Sequence, residues 1–362
     1  MAIGTIANLV TLIREINLQA IKKEAEQRFA LLIVGEGTYA RLLAERLGVS
    51  PGKRGIHPWI VVHSLPLPEE QHNLSHYVLA IIVSVEVELG QGEQSALRRL
   101  HETKVPVVTV VVGESALTQV GAEVPREHEA ARVLLLPSLE EQALQPQLAP
   151  AMLRAAPEEL RLALARQLPL LREPLVYELI EETSRANALY SASTGLAEVI
   201  PVLTIPLNAA DIVVLTKNQL VMAFKIALAS GQQGGAREIM GKIVGVLGGG
   251  FLFRQLAREL VGLIPVVGIV PKVAVSYAGT WVIGRTIYLW AAEGQRLNRK
   301  EIRRFYDEAV ARGRALAETL VNKVRAATPL LPAPGHGSAE TPPPEAKQKA
   351  SLWQRLRGRQ PF

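Results

Sequence analysis

Residues 35–42 read GEGTYARL and follow directly on the apolar run LLIV at 31–34. Glycine, one residue, glycine, two residues and then Ala40 is the spacing of a strand, turn and helix in which bare backbone lets a phosphate approach the helix's first amides. The chemistry on offer is anion binding at Gly35, Gly37 and Thr38, with Arg41 as the nearest cation. Two companion features of such sites are missing. A dinucleotide site wants a carboxylate closing the next strand to hold ribose hydroxyls, but the next run, WIVVHS, leads to no acid before Glu69. A triphosphatase loop, G-x-x-x-x-G-K-[ST], would place Ala40, Arg41 and Leu42 at its glycine, lysine and hydroxyl positions, and leucine offers magnesium no oxygen.

The elements that must hold this turn are legible in the surrounding pattern. Between 30 and 138, Val/Ile/Leu-rich runs (FALLIVG, WIVVHS, YVLAIIVSVEV, VPVVTVVVG, ARVLLLP) alternate with helical stretches such as TYARLLAERL and QSALRRLHET. Runs apolar on both faces, joined by helices, predict a mainly parallel sheet covered on both sides. Ahead of it, Ile6, Leu9, Leu12, Ile13, Ile16 and Ile21 predict one amphipathic helix within 1–29. Glycines at the turn have a plainer role too, through φ > 0 and close strand-to-helix packing.

The order of these elements resembles a small GTPase of the translation-factor-related class, and the comparison supplies further tests. Where that class has D-x-x-G, this chain has His63-Ser64-Leu65-Pro66; for N-K-x-D it has Gly113-Glu114-Ser115-Ala116; and for S-A-K it has Pro137-Ser138-Leu139. The resemblance implies a degenerate P-loop GTPase-like α/β domain over 30–138, with the strands kept and the chemical positions replaced. Hydrolysis is not expected.

Residues 139–171 read as a connector with short helices. Beyond it, helical patterns over roughly 172–196, 206–230, 236–264, 266–292 and 296–325 show no strand alternation, predicting an all-α hydrophobic domain over 172–325. Within it, IPLNAADIVVLTKNQLVMAFKIA (205–227), LGGGFLFRQLARELVGLIP (247–265) and VPKVAVSYAGTWVIGR (270–285) resemble the bacterial domain of unknown function 697 family, often found beside GTPase-like domains. The resemblance implies a GTPase-associated, hydrophobic helical domain but assigns no chemistry.

A spanning helix wants about 20 predominantly apolar residues, whereas Lys242, Arg254, Arg258, Glu259, Lys272 and Arg285 interrupt 242–290 repeatedly. A hairpin of 243–264 and 266–290 embeds only if Arg258 and Glu259 pair or line a cavity and Lys272 snorkels. Gly245 with Gly249, and Ala274 with Ala278, have the i,i+4 small-residue spacing of closely packed helices. The same apolar faces fit the core of a soluble bundle. Asp211 reads as a helix-cap or polar contact.

Composition narrows the function. The absence of cysteine removes disulfides and thiolate chemistry, His57, His63, His72 and His76 match no zinc spacing, and no paired-carboxylate or G-x-S-x-G pattern stands out. No catalytic residue, metal or cofactor is expected. Of the net charge of +6, residues from Arg285 onward hold 15 Lys/Arg against 7 Asp/Glu, so the basicity is C-terminal. Basic side chains flanking a hydrophobic domain suit an anionic membrane rather than nucleic acid. Residues 326–362 read as a disordered basic tail in which Trp353 and its arginines form an interfacial anchor.

The expectation is a non-enzymatic protein associated with the inner membrane and facing the cytoplasm. Its partners would be membrane lipids and a protein, either a GTPase or a second copy. A nucleotide-dependent switch binding GTP or ATP at Gly35–Arg41, and a soluble cytoplasmic scaffold, are the rivals.

Overall fold

The apolar runs form five strands: β1 (Leu31–Gly35), β2 (Ile60–Ser64), β3 (Leu79–Ser84), β4 (Val107–Val112) and β5 (Arg132–Leu136). They make one sheet of order β2-β1-β3-β4-β5 with every pairing parallel. In this computed structural model the described residues are 11–48, 55–68, 73–86, 89–113, 132–196, 209–248 and 269–327. β1, β3 and β4 are buried along their whole length, which is why they read as unbroken apolar runs rather than alternating ones. Leu32, Val34, Ala80 and Ile82 project to a face closed by Ala96 and Leu100 of α3 (Gln91–Glu102) and by Leu67, Leu74 and Tyr77 from the segment between β2 and β3.

The N-terminal region differs from the single helix expected there. Residues 11–15 are helical, the helix breaks at Ile16-Asn17, and α1 (Leu18–Ala25) begins afresh. Asn17 causes the break: its side-chain oxygen accepts from the Ala20 N–H at 3.1 Å, a cap that competes with continued helix. α1 packs on helices further along the chain, Glu158–Gln167, Ala209–Ala229 and Ala236–Gly248.

The stretch read as a connector is a packed layer. α4 (Glu141–Ala155) lies on β4 and β5 and buries Leu144, Leu148, Ala149, Ala151, Met152 and Leu153 despite Pro146 and Pro150. α5 (Glu158–Gln167) and the short 3-10 turn Pro169–Leu171 then lead into the helical region.

That region comprises α6 (Arg172–Leu196), α7 (Ala209–Ala229), α8 (Ala236–Gly248), α9 (Ile269–Glu293) and α10 (Arg299–Ala327). α6 and α9 run side by side along most of their length, with α7 against both. Ile180 and Met222 lie against Gly284, where a Cβ would sit 2.5 Å from Ile180 Cγ1, so glycine sets how closely three helices approach. Residues up to Ala317 belong to one compact unit, and Glu318 onward to another. Among the described residues no helix is long and apolar enough to cross a membrane.

Candidate functional site

In a sheet of order 2-1-3-4-5 the connections leave β1 and β3 in opposite directions, opening a crevice beyond their C-terminal ends where α/β proteins place ligands. The expected anion turn lies there. β1 ends at Gly35 and α2 (Gly37–Gly48) begins two residues later, with Glu36 alone between them and its carbonyl accepting from the Ala40 N–H at 3.0 Å. A triphosphatase loop needs several residues outside the helix to wrap a phosphate; here Thr38 and Tyr39 are already helical. The tight turn matches the dinucleotide grammar better, and the register sets Gly35 against Ser64, not a carboxylate, at the end of β2.

Packing accounts for the glycines. A Cβ on Gly35 would sit 2.5 Å from the Val83 carbonyl oxygen, so β1 and β3 could not keep their spacing around any other residue. A Cβ on Gly37 would meet Ser64 Oγ at 3.3 Å. Neither glycine is among the positive-φ residues, so of the two plain roles expected for them, close packing applies and left-handed backbone does not.

The electrostatics are poor for a phosphate. Glu36 in the turn and Glu86 just past β3 are both exposed at the crevice, and a second anion between them would be repelled. Arg41, the expected cation, is 72% exposed and pairs with Glu45 at 3.3 Å, one helical turn further along α2. Thr38 is exposed, and Ser84, at the end of β3, donates to the Glu86 carbonyl at 2.9 Å and accepts from the Glu86 N–H. A cavity of about 90 Å³ lies elsewhere, lined by Arg46, Glu141, Leu144, Pro169 and Leu170, room for only a few waters.

The helical region gathers chemistry that the sequence reading missed. Asn187 of α6 is fully buried; its Nδ2 donates to Thr280 Oγ1 at 3.0 Å and to the Leu215 carbonyl at 3.4 Å. Its Oδ1 accepts from Asn218 at 2.9 Å and its backbone carbonyl from Ser276 Oγ at 3.0 Å, while Gln219 donates to Thr280. A polar seam thus ties α6, α7 and α9 together in an otherwise apolar interface, with Ser184 and Ser191 also buried along it. Ser184, Asn187 and Ser191 recur at i, i+3, i+7, and Ser276 and Thr280 at i, i+4. That spacing was the available signal. Toward α10, the Tyr277 hydroxyl donates to Glu181, which also accepts from Arg185 at 2.6 Å; burial and that carboxylate raise the tyrosine's pKa.

The expected helix-packing residues divide. Ala274 and Ala278 are buried, and a Cβ on Gly313 of α10 would sit 2.8 Å from Ala274 Cα, so α9 and α10 approach closely at Ala274. Gly245 is a correction: it is exposed and a Cβ there would meet nothing within 4 Å, because α8 turns this position outward. Lys272 is half-buried in the first turn of α9. Asp211 falls in the first turn of α7. Gly249, Arg258, Glu259, the first arm of the expected hairpin beyond Gly248, and Trp353 lie outside the described residues.

Comparison of the sequence with models of known protein families and with curated proteins finds no match to either.

Proposed function

We propose that the chain is a non-enzymatic, membrane-associated interaction protein: a GTPase-like α/β scaffold without its nucleotide site, joined to a helical domain that engages the membrane. The carrying observation is the polarity of the α6–α7–α9 assembly. Hydrogen-bonding side chains face inward around Asn187, while Leu189, Val213 and Val214 on the same helices point outward, at 47%, 38% and 37% exposure. Large apolar side chains left outward beside a hydrogen-bonded seam suit the interfacial zone, and Arg185 and Lys217, exposed on the same helices at 61% and 43%, fit that zone rather than hydrocarbon. The resemblance to the domain of unknown function 697 family is part of this proposal.

For the α/β part, the turn with Glu36 inside it and Arg41 turned to Glu45 supports reading the sheet as a surface for protein contacts rather than for nucleotide. The protein partner is a GTPase or a second copy of this chain. The nucleotide-dependent switch draws no support from that geometry.

A soluble scaffold is favoured by a different observation. α9, apolar nearly all round, buries Val273, Tyr277, Trp281, Val282, Ile283 and Ile287, largely against α6, α7 and α10. Protein core alone explains that much apolar surface. Fractionation separates the two: membrane association predicts that the full chain sediments with membranes and resists a high-salt wash, and recovery of monodisperse protein without detergent from the soluble fraction would favour the scaffold.

A further inference from the structure

Tyr39, Leu42 and Val85, large apolar side chains left exposed, stand around the mouth of the crevice. Tyr39, Leu42 and Arg46 recur at i, i+3, i+7 and so share one flank of α2. Arg46 pairs with Glu140, the residue before α4, at 2.7 Å, which turns this flank toward α4. The opposite flank faces β2, since a Cβ on Gly37 would meet Ser64 and one on Gly48 would meet His57. Val85 and Glu86 follow β3 at the end where Gly35, paired with Val83, leads into α2. Between Arg46 and the first turns of α4 lies an open depression of about 480 Å³, lined also by Glu140, Glu141, Gln142 and Gln145. The apolar side chains and the depression together make one groove along α2.

Charge decides what such a groove takes. Arg46 is neutralised by Glu140, and Arg41, on the opposite flank, by Glu45. Glu36, Glu86 and Glu141 are exposed and make no ion pair among the described residues. Three such carboxylates around Tyr39, Leu42 and Val85 attract cations and select against nucleic acid and anionic lipid. We infer that the α2–α4 groove docks a basic amphipathic helix of a protein partner. Its apolar stripe sits on Tyr39, Leu42 and Val85, and its lysines or arginines face Glu36, Glu86 and Glu141. The inference rests on reading the sheet as a surface for protein contacts and says which groove and which partner chemistry carry it. An aromatic ring beside aliphatic side chains, rimmed by charge of one sign, is what a helix-in-groove contact presents before its helix arrives.

The probe is a synthetic, fluorescein-labelled peptide of about 18 residues, long enough to hold a helix, with leucines at helical spacing flanked by lysines. Its counterpart carries glutamates in place of the lysines. Anisotropy titrations with the full chain should show saturable binding of the lysine peptide, weakened by salt, and none of the glutamate peptide. Tyr39→Ser combined with Leu42→Ser should weaken binding about tenfold or more, and Glu36→Gln combined with Glu86→Gln about fivefold, with helix content that of the wild type. Tyr177→Ser, at an exposed ring on α6, should leave binding unchanged. Binding that neither groove variant weakens, or that Tyr177→Ser weakens equally, overturns the groove while leaving a protein-contact surface standing. No binding of the lysine peptide, or equal binding of the glutamate peptide, overturns the proposal in the same way. Displacement of the peptide by GTP or ATP with magnesium means that the crevice takes nucleotide, which overturns the underlying reading and the groove with it. Self-association of the chain that Leu42→Ser abolishes means that a second copy covers the groove, which also overturns the proposal.

Discussion

The crevice at the end of β1 and the seam between α6, α7 and α9 present opposite relations between residue type and role. At the crevice the residues look chemical: two glycines, a threonine and an arginine in phosphate-loop spacing. Packing accounts for the glycines and a surface ion pair for the arginine, since Gly35 admits Val83 and Arg41 pairs with Glu45, while Thr38 is exposed at the start of α2. At the seam the residues look like an ordinary solvated face, yet Asn187 and Thr280 are fully buried and bonded across three helices. Glycine spacing reports backbone closeness whether or not a ligand lies behind it, and polar spacing reports a hydrogen-bonded interface whether or not water does.

Removing the seam's centre is the most damaging way to sharpen this comparison. Asn187→Ala strips the partners of Asn218, Thr280 and the Leu215 carbonyl in a fully buried position. A loss of about 3 kcal/mol in unfolding free energy is expected by chemical denaturation. An effect within about 0.5 kcal/mol of zero, typical of a surface change, would mean that the seam is not what holds the helices.

The two glycines of the crevice break the comparison from the other side. Gly35→Ala forces a Cβ to 2.5 Å from a backbone carbonyl and should cost about 2 kcal/mol. Gly37→Ala meets only a rotatable hydroxyl at 3.3 Å at the start of a helix, so its effect should stay below about 1 kcal/mol in either direction. Equal losses for both, or a loss for Gly37→Ala appearing only with nucleotide present, would point to a ligand rather than to packing.

A smaller effect comes from the junction between sheet and helices. His57 packs against Phe29 and Trp59, its Nδ1 accepts from the Trp59 N–H at 3.3 Å, and its side chain bonds to Gln167 at the end of α5. Burial holds its pKa below the ordinary 6.5, against the opposing pull of Gln167. The neutral imidazole is thus the form the fold prefers. Its contribution is complete above pH 6.5 and is lost as pH falls below that value through the folded pKa. Melting temperature should therefore fall on acidification in this range, and His57→Gln should flatten the fall; identical pH profiles would remove His57 as the cause.

Much of the fold was legible because burial leaves a period in the sequence. The five apolar runs are the five strands, and the helical patterns at 172–196 and 266–292 became Arg172–Leu196 and Ile269–Glu293. Where a single side chain decides, pattern was silent. Asn17 splits the first helix through one hydrogen bond, and Gly245 faces outward although its spacing fits a packing seam. The candidate anion turn was visible as a motif, but its tightness was not, because only the structure shows Thr38 and Tyr39 already inside α2. The inward turn of Ser184, Asn187 and Ser191 was equally hidden, since helical spacing places residues on one face without saying what that face meets.

Flotation of the full chain with phosphatidylcholine–phosphatidylglycerol vesicles, in parallel with and without magnesium and GTP, tests the division of labour between the two regions in one measurement. The account predicts that the protein floats with the vesicles, and to the same extent in both arms, because the helical bundle engages lipid and the crevice takes no nucleotide. Protein that stays at the bottom in both arms, or that floats only when nucleotide is present or absent, would contradict it.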